Sequence, residues 1–298
     1  MSDITLLDGS IGQELVKRSG DRATPLWSTR VMIDRPDLVA KVHLDYFNAG
    51  ATVATTNTYA VHRSRLVRVG LEDEVLSLLA VAVDQAKQAR DAHGRGRIAG
   101  ALGPLLATYR PDLKPDPDEA EQKFGELVAA MAPHVDLFLI ETVSSILEAE
   151  GVLRATLHGG KPVWLALTVN DYDGTHLRSG EPLSDIVPLL DRFDPEAVLL
   201  NCSRPEAITQ GMDILAGFGR MCGGYANGFT RISDGFLKDA PTVDALEQRV
   251  DLGPSVYADH AMRWVEHGAT IVGGCCEVGP EHIAELARRL RAAGHRIV

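Results

Sequence analysis

The sequence predicts an α/β fold, a (β/α)8 barrel, on three observations. Eight short runs rich in Val, Ile, Leu and Ala recur along the chain, longer segments of helical period separate them, and polar residues end nearly every run. Barrels of this kind commonly reach the length of this chain as one unit, so a single domain over residues 1–298 is expected. Hydrophobic residues are 45% and charged residues 24% of the chain, enough apolar material for a large core, with disorder expected only at the ends.

The first run, Ile4–Asp8, stops at Asp8-Gly9, and the second, Ala51–Thr58, stops at Thr56-Asn57-Thr58-Tyr59. Between them Leu38, Val42, Leu44, Tyr46 and Phe47 fall largely along one helical stripe that ends on Gly50. A second amphipathic stretch, 71–94, leads to the third run, Arg97–Gly103, which ends in Gly103-Pro104. Four prolines between positions 104 and 117 then prevent a continuous helix, so 105–117 is expected to be a loop over the barrel mouth and a candidate lid. The fourth run, Leu137–Thr142, ends in Glu141-Thr142, and a helix begins near Ser144. Pro162–Val169 ends at Asn170-Asp171, Ala197–Ser203 contains Asn201-Cys202, and Arg220–Ala226 leads into Tyr225-Ala226-Asn227. The eighth run, Ala269–Cys276, finishes on Gly273-Gly274-Cys275-Cys276, and 281–294 closes the chain as an amphipathic helix with basic residues near its end.

Charge and composition narrow the function. A formal net charge of -11 argues against a nucleic-acid backbone or an anionic membrane surface as partner. No apolar stretch approaches the roughly eighteen residues of a membrane span, and the first residues lack the basic start and apolar centre of a signal peptide. A cytoplasmic protein is expected. Four cysteines, two of them adjacent, suit free thiols in a reducing compartment better than a disulfide scaffold. Composition fixes no oligomeric state.

In such a barrel, groups at the C-terminal ends of strands converge on one pocket. Cys202 ends one run and Cys275 and Cys276 end another, so three thiols are expected to meet. Three thiolates with a fourth, open position make a catalytic zinc site, and the two glycines before Cys275 let the backbone turn so that both sulfurs face inward. A vicinal disulfide is the competing reading, and Cys222 is read as a small buried hydrophobe. The ten histidines form no metal-binding or catalytic spacing and are read as structural or solvent-facing.

Several motifs in order resemble the homocysteine S-methyltransferase family across nearly the whole chain: the LLDGSIGQEL start, LWSTRVMIDRPDLVAKVHLDYFNAGA, TNTY, the GP after the third run, FLIETVSSILEA, NCS, YANGF and GGCC. The stretches around Leu26-Trp27-Ser28 and His43-Leu44-Asp45-Tyr46 look most like members using S-methylmethionine or S-adenosylmethionine. The resemblance implies Zn2+ held by Cys202, Cys275 and Cys276, with homocysteine thiolate as fourth ligand and methionine as product. It also implies that Asp8 and Glu141 bind the homocysteine ammonium, although Asp8 as a helix cap and Glu141 as a rim ion pair are the plainer readings. Ser28 and Thr56 are candidate hydrogen-bonding partners of the substrate. Asn201 and Asn227 are candidates for orienting the thiolates, or for satisfying local backbone. Trp27, Tyr59, Tyr109 and Tyr225 are candidate aromatic faces for an onium donor, or ordinary packing. A betaine or dimethylsulfonio-acid donor is the alternative enzyme, a zinc- and homocysteine-binding sensor the alternative outside catalysis, and a corrinoid protein docking over the mouth a third.

Overall fold

Each of the eight expected runs contains one strand, and the strands are parallel. The computed structural model describes residues 2–20, 26, 28–233, 235–237 and 245–298. The strands are β1 (Asp3–Leu6), β2 (Val53–Thr55), β3 (Arg97–Leu102), β4 (Leu137–Val143), β5 (Val163–Leu167), β6 (Ala197–Asn201), β7 (Met221–Tyr225) and β8 (Ile271–Val272). They stand in the order β2-β3-β4-β5-β6-β7-β8-β1. Leu7 bridges Val53 in parallel, and the Thr52 N–H donates to the Leu6 carbonyl at 2.7 Å, so the first strand meets the second and the sheet closes. A short β9 (Arg296–Ile297) pairs with β1 on its outer side. Two residues leave no periodic signal, which is why the sequence gives no hint of it.

Eleven helices fill the connections among the described residues: α1 (Ile11–Ser19), α2 (Ser28–Asp34), α3 (Pro36–Ala49), α4 (Arg63–Leu66), α5 (Val75–His93), α6 (Pro117–Met131), α7 (Ile146–Thr156), α8 (Val187–Phe193), α9 (Pro205–Ala216), α10 (Pro254–Glu266) and α11 (Pro280–Ala292). Their ends follow local chemistry. Proline opens α3, α6, α9, α10 and α11, where its missing N–H removes no helical bond. The Asp116 carboxylate accepts from the Asp118 and Glu119 N–H groups at the start of α6, and the Ser145 hydroxyl accepts from Glu148 N–H in α7. Pro117 therefore begins a helix, and the irregular mouth loop is confined to 103–116, broken only by a single 3-10 turn at Pro111–Leu113.

Strand alternation divides the core into two layers. Leu7, Val53, Ala99, Leu137, Leu139, Trp164, Ala166, Ala197, Leu199 and Ile271 point into the barrel, while Ile98, Phe138, Leu165, Val198 and Leu200 face the helices. Trp164 fills the N-terminal end of the barrel, with its indole N–H on Glu196 at 2.7 Å and the Arg97 guanidinium 5.0 Å from its ring centroid. The opposite end is left for polar groups.

Tyr257 of α10, fully buried, connects the exits of β7 and β8. Its hydroxyl accepts from the Ala226 N–H at 3.0 Å and donates to the Gly273 carbonyl at 2.6 Å. Tyr257→Phe leaves both backbone groups without that partner and is expected to cost about 1–3 kcal/mol. Urea denaturation measures this, and a loss below about 0.5 kcal/mol would mean the hydroxyl does not hold the two exits together.

Candidate active site

Cys202 follows β6 directly and adopts a left-handed backbone conformation, φ 47°, which costs a non-glycine residue and persists only where its surroundings enforce it. The enforcement is visible. Its N–H donates to the Tyr225 carbonyl at 3.2 Å, and its carbonyl accepts from the Asn227 amide at 2.9 Å and from Thr168 and Arg178 at 3.4 Å each. Arg178 is in turn held by Asp171 at 2.7 Å and the Thr168 hydroxyl at 2.9 Å. Asn227 thus acts on the backbone of Cys202. Asn201 directs both ends of its amide to Thr142, 3.0 Å to its N–H and 3.0 Å to its hydroxyl, and so reaches the acidic side of the site instead of a sulfur. Arg178 was missed because a loop residue well beyond its strand carries no local signal, and Thr168 and Asp171, though at the end of a run, show in sequence no sign of the arginine they hold.

At the other strand exit the two glycines permit close approach. A Cβ on Gly273 would lie 2.4 Å from Leu7 Cβ, and one on Gly274 would lie 2.2 Å from a Val278 methyl carbon. The Cys275 N–H donates to the Ala226 carbonyl at 2.9 Å, fixing the following turn. The ligand atoms of Cys202, Cys275 and Cys276 all lie within 4.8 Å of one another, with Cys202 and Cys276 Sγ 3.9 Å apart. In this structure Cys202 and Cys275 are joined as a disulfide, which corrects the expectation of three free thiols. The physical reason is proximity: sulfurs close enough to share an ion are close enough to bond each other. Cys276 stays free, as does Cys222, which is buried with its Sγ toward the Gly268 carbonyl. Burial, then the charges of Glu277 and Glu141, push the Cys276 thiol up to about 12. Such surroundings favour an added cation, and three soft sulfurs, once reduced, fit Zn2+.

Across the mouth, the Asp8 carboxylate accepts the Thr55 N–H at 2.7 Å and the Thr55 hydroxyl at 2.8 Å. It does not cap α1, which has no side-chain cap. Glu141 sits where β4 breaks register between Ile140 and Val143, and Thr142 beside it has φ 62°. This irregularity, pinned by Asn201, turns the carboxyl into the mouth, where the Tyr225 hydroxyl donates to it at 3.2 Å. Burial raises Asp8 well above the usual carboxylate range, opposed by the Thr55 bonds and reinforced by Glu141. Burial raises Glu141 to about 7, opposed by Tyr225. Among the described residues no lysine or arginine lines the cavity, and Glu141 has no ion-pair partner. A buried and a half-buried carboxylate with no cation between them form a site for a positively charged group.

The homocysteine S-methyltransferase profile matches residues 5–290. The chain belongs to that family. Homocysteine S-methyltransferase of Escherichia coli strain K12 is 32% identical over 96% of this chain and 95% of its own length. Homocysteine S-methyltransferase YbgG of Bacillus subtilis strain 168 is 27% identical over 97% and 95%. The crystal structure of the E. coli homocysteine methyltransferase MmuM in its metallated form matches with a TM-score of 0.81 at 29% identity, covering 97% of this chain and 96% of that one. The oxidized form of MmuM also gives 0.81, at 28% identity. The protein is therefore an enzyme of the homocysteine S-methyltransferase class.

The other expected site residues of this methyltransferase divide between cavity and framework. Ser28 lines the cavity and donates to the Asn57 side-chain carbonyl at 2.6 Å. Thr56 also lines it, but its hydroxyl is held by Thr58 at 2.8 Å and the Ala101 N–H at 3.0 Å; its neighbour Thr55 is the one that reaches Asp8. Tyr59, Tyr109 and Tyr225 all line the cavity. The Tyr59 hydroxyl meets Thr108 at 2.9 Å, and Tyr109, φ 63°, packs on Phe236. Trp27 lies outside the described residues. Thr108 and Tyr109 bring the proline-rich loop over the sulfurs, and Arg110 donates to the Leu237 carbonyl at 2.6 Å across the mouth.

Glu141 gives a pH signature. A carboxyl raised to about 7 contributes stability that is complete below its unfolded value near 4.5 and is lost as pH rises through about 7. Glu141→Gln is neutral at every pH, so it should equal the parent near pH 4.5 and exceed it by up to about 3 kcal/mol above pH 8. Urea titrations at both pH values test this; an identical difference at the two would show that Glu141 is not held neutral.

Proposed function

We propose that this enzyme moves a methyl group from a small sulfonium donor, S-methylmethionine or S-adenosylmethionine, to homocysteine, giving methionine. The observation that carries the reading is the placement of three sulfurs and two carboxylates without a partner cation, Asp8 and Glu141, on one cavity. Homocysteine offers the matching pair, a thiol at one end and an ammonium near the other. Zn2+ held by Cys202, Cys275 and Cys276 would act as a Lewis acid that makes the acceptor's thiol acidic enough to lose its proton to solvent, so that no dedicated general base is needed.

The protein's own groups do the rest. Asp8, held by Thr55, and Glu141, held by Tyr225, take the ammonium and set the direction of the thiol. Glu141 gives up its proton when the ammonium arrives, since an opposite charge favours its ionised form. Tyr109, Phe229 and Phe236 cover the cavity and exclude water. In the transfer, a sulfur lone pair of the acceptor forms the new S–C bond while the donor's S–C bond breaks, and its electron pair stays on the donor sulfur. The leaving group departs as a neutral thioether, so alignment matters more than acid catalysis.

The test is methionine formation, followed by mass spectrometry, with reduced, zinc-loaded protein and homocysteine. Separate assays supply S-methylmethionine, S-adenosylmethionine, glycine betaine and dimethylsulfonio-acids. Turnover with a sulfonium amino acid supports the reading, turnover only with betaine or a dimethylsulfonio-acid replaces the donor, and no turnover with any of them overturns direct transfer. Serine at Cys202, Cys275 or Cys276 is expected to abolish zinc retention and activity together; a fully active variant would end the metal reading. Zinc uptake should also require prior reduction of the Cys202–Cys275 bond, measured as bound metal before and after treatment with a phosphine.

A further inference from the structure

His43 is out of place on any structural reading. It lies on the buried face of α3 between Val39, Val42, Tyr46 and Phe47, with no exposed surface, at a position where the helical stripe calls for an apolar side chain. Neither ring nitrogen has a hydrogen-bond partner. Buried polar atoms are almost always paired, and an unpaired one in a native core calls for an explanation. The Asp8 carboxylate lies close by, its Oδ2 4.0 Å from Nδ1.

We propose that His43 is the positioning residue for Asp8: its Nδ1–H holds the carboxylate in the orientation that receives the amino group of the acceptor. The inference rests on the assignment of Asp8 to that ammonium. A gap of 4.0 Å is closed by a shift of about 1 Å or by one bridging water, and catalytic contacts are often long before the substrate is bound. Asp8 has the capacity. Thr55 supplies one donor to each carboxylate oxygen, and each oxygen has a second lone pair, so one remains for His43 and one for the ammonium. The choice of histidine also has a reason. Lysine or arginine here would neutralise Asp8 and compete with the substrate, whereas a neutral imidazole orients the carboxylate and leaves its charge in place. Burial keeps His43 neutral, lowering it to about 4.

The experiment compares homocysteine with 4-mercaptobutyrate, the same acceptor without its amino group, in reduced, zinc-loaded parent, Asp8→Asn, His43→Leu and His43→Asn. In the parent and in Asp8→Asn the kcat/KM ratio of the two thiols measures what the ammonium site contributes. His43→Leu should lower that ratio about tenfold or more through the KM for homocysteine, leaving 4-mercaptobutyrate unaffected. His43→Asn, which keeps an N–H near the Nδ1 position, should recover most of it. Thermal denaturation should find His43→Leu at least as stable as the parent, because it removes two unpaired buried nitrogens. A His43→Leu protein that unfolds, or that loses both thiols equally, would mark His43 as structural and overturn the proposal. If Asp8→Asn collapses the ratio and His43→Leu does not, the proposal fails while the ammonium reading stands. If the parent shows no preference and Asp8→Asn changes nothing, the ammonium reading itself fails and takes the proposal with it.

Discussion

The site depends on one backbone constraint, the left-handed turn at Cys202. Strand β6 ends there, and continuing it as a strand would carry the thiol away from the mouth. Three donors to one carbonyl, from Asn227, Thr168 and Arg178, make the turn the favourable arrangement. Strain of this kind recurs around the mouth: Tyr109, Thr142 and Glu277 also have positive φ, each beside a group that lines the cavity. Such conformations cost on the order of 1–3 kcal/mol apiece and persist only when neighbouring bonds over-determine them. Glu277 meets this condition, since its N–H and carboxylate are both bonded to Gln13.

The second organising feature is electrostatic. Asp8 is buried and Glu141 half-buried, both are raised, chiefly by loss of solvent, and Glu141 adds to the rise of Asp8. Without a cation, lost solvent and the charge of Glu141 disfavour the ionised form of Asp8, and an arriving ammonium would offset that penalty. The sulfurs face the same logic from the other side, because burial, then Glu277 and Glu141, push the Cys276 thiol upward, a balance that a metal charge would reverse. One cavity therefore has two places where positive charge is wanted. In the proposed reading homocysteine spans the two.

Much of this was legible in sequence because barrel topology turns strand ends into neighbours. Asp8, Glu141, Cys202 and Cys275 each end a readable apolar run, so convergence followed from the fold alone. Thr55 was lost to parity. A strand alternates its faces, and a run of small polar residues does not mark Thr55 as the one that turns to Asp8. Arg178 was lost for a different reason, since it acts through a loop whose path sequence does not define, and Asp171, read as the end of a run, gave no sign of the arginine it holds. The Cys202–Cys275 bond was not foreseen because redox compartment argues about averages, whereas bonding depends on two particular sulfurs.

The aromatic residues at the mouth show why residue type alone is a poor guide to a donor site. Tyr59 has the Arg65 guanidinium 5.4 Å from its ring centroid, and Tyr109 has Arg178 at 4.5 Å. A cation already stacked on a ring draws on the same quadrupole that an onium donor would use, so these rings attract a second cation less than free ones do. Arg178 serves two ends at once, fixing Tyr109 in the loop over the sulfurs and the Cys202 carbonyl beneath it. The roof of the cavity and one sulfur are thereby referenced to a single side chain. For a transfer whose rate rests on alignment, a roof fixed in register with the nucleophile contributes more than a tightly held donor, because affinity shared equally by ground and transition states does not accelerate the chemical step.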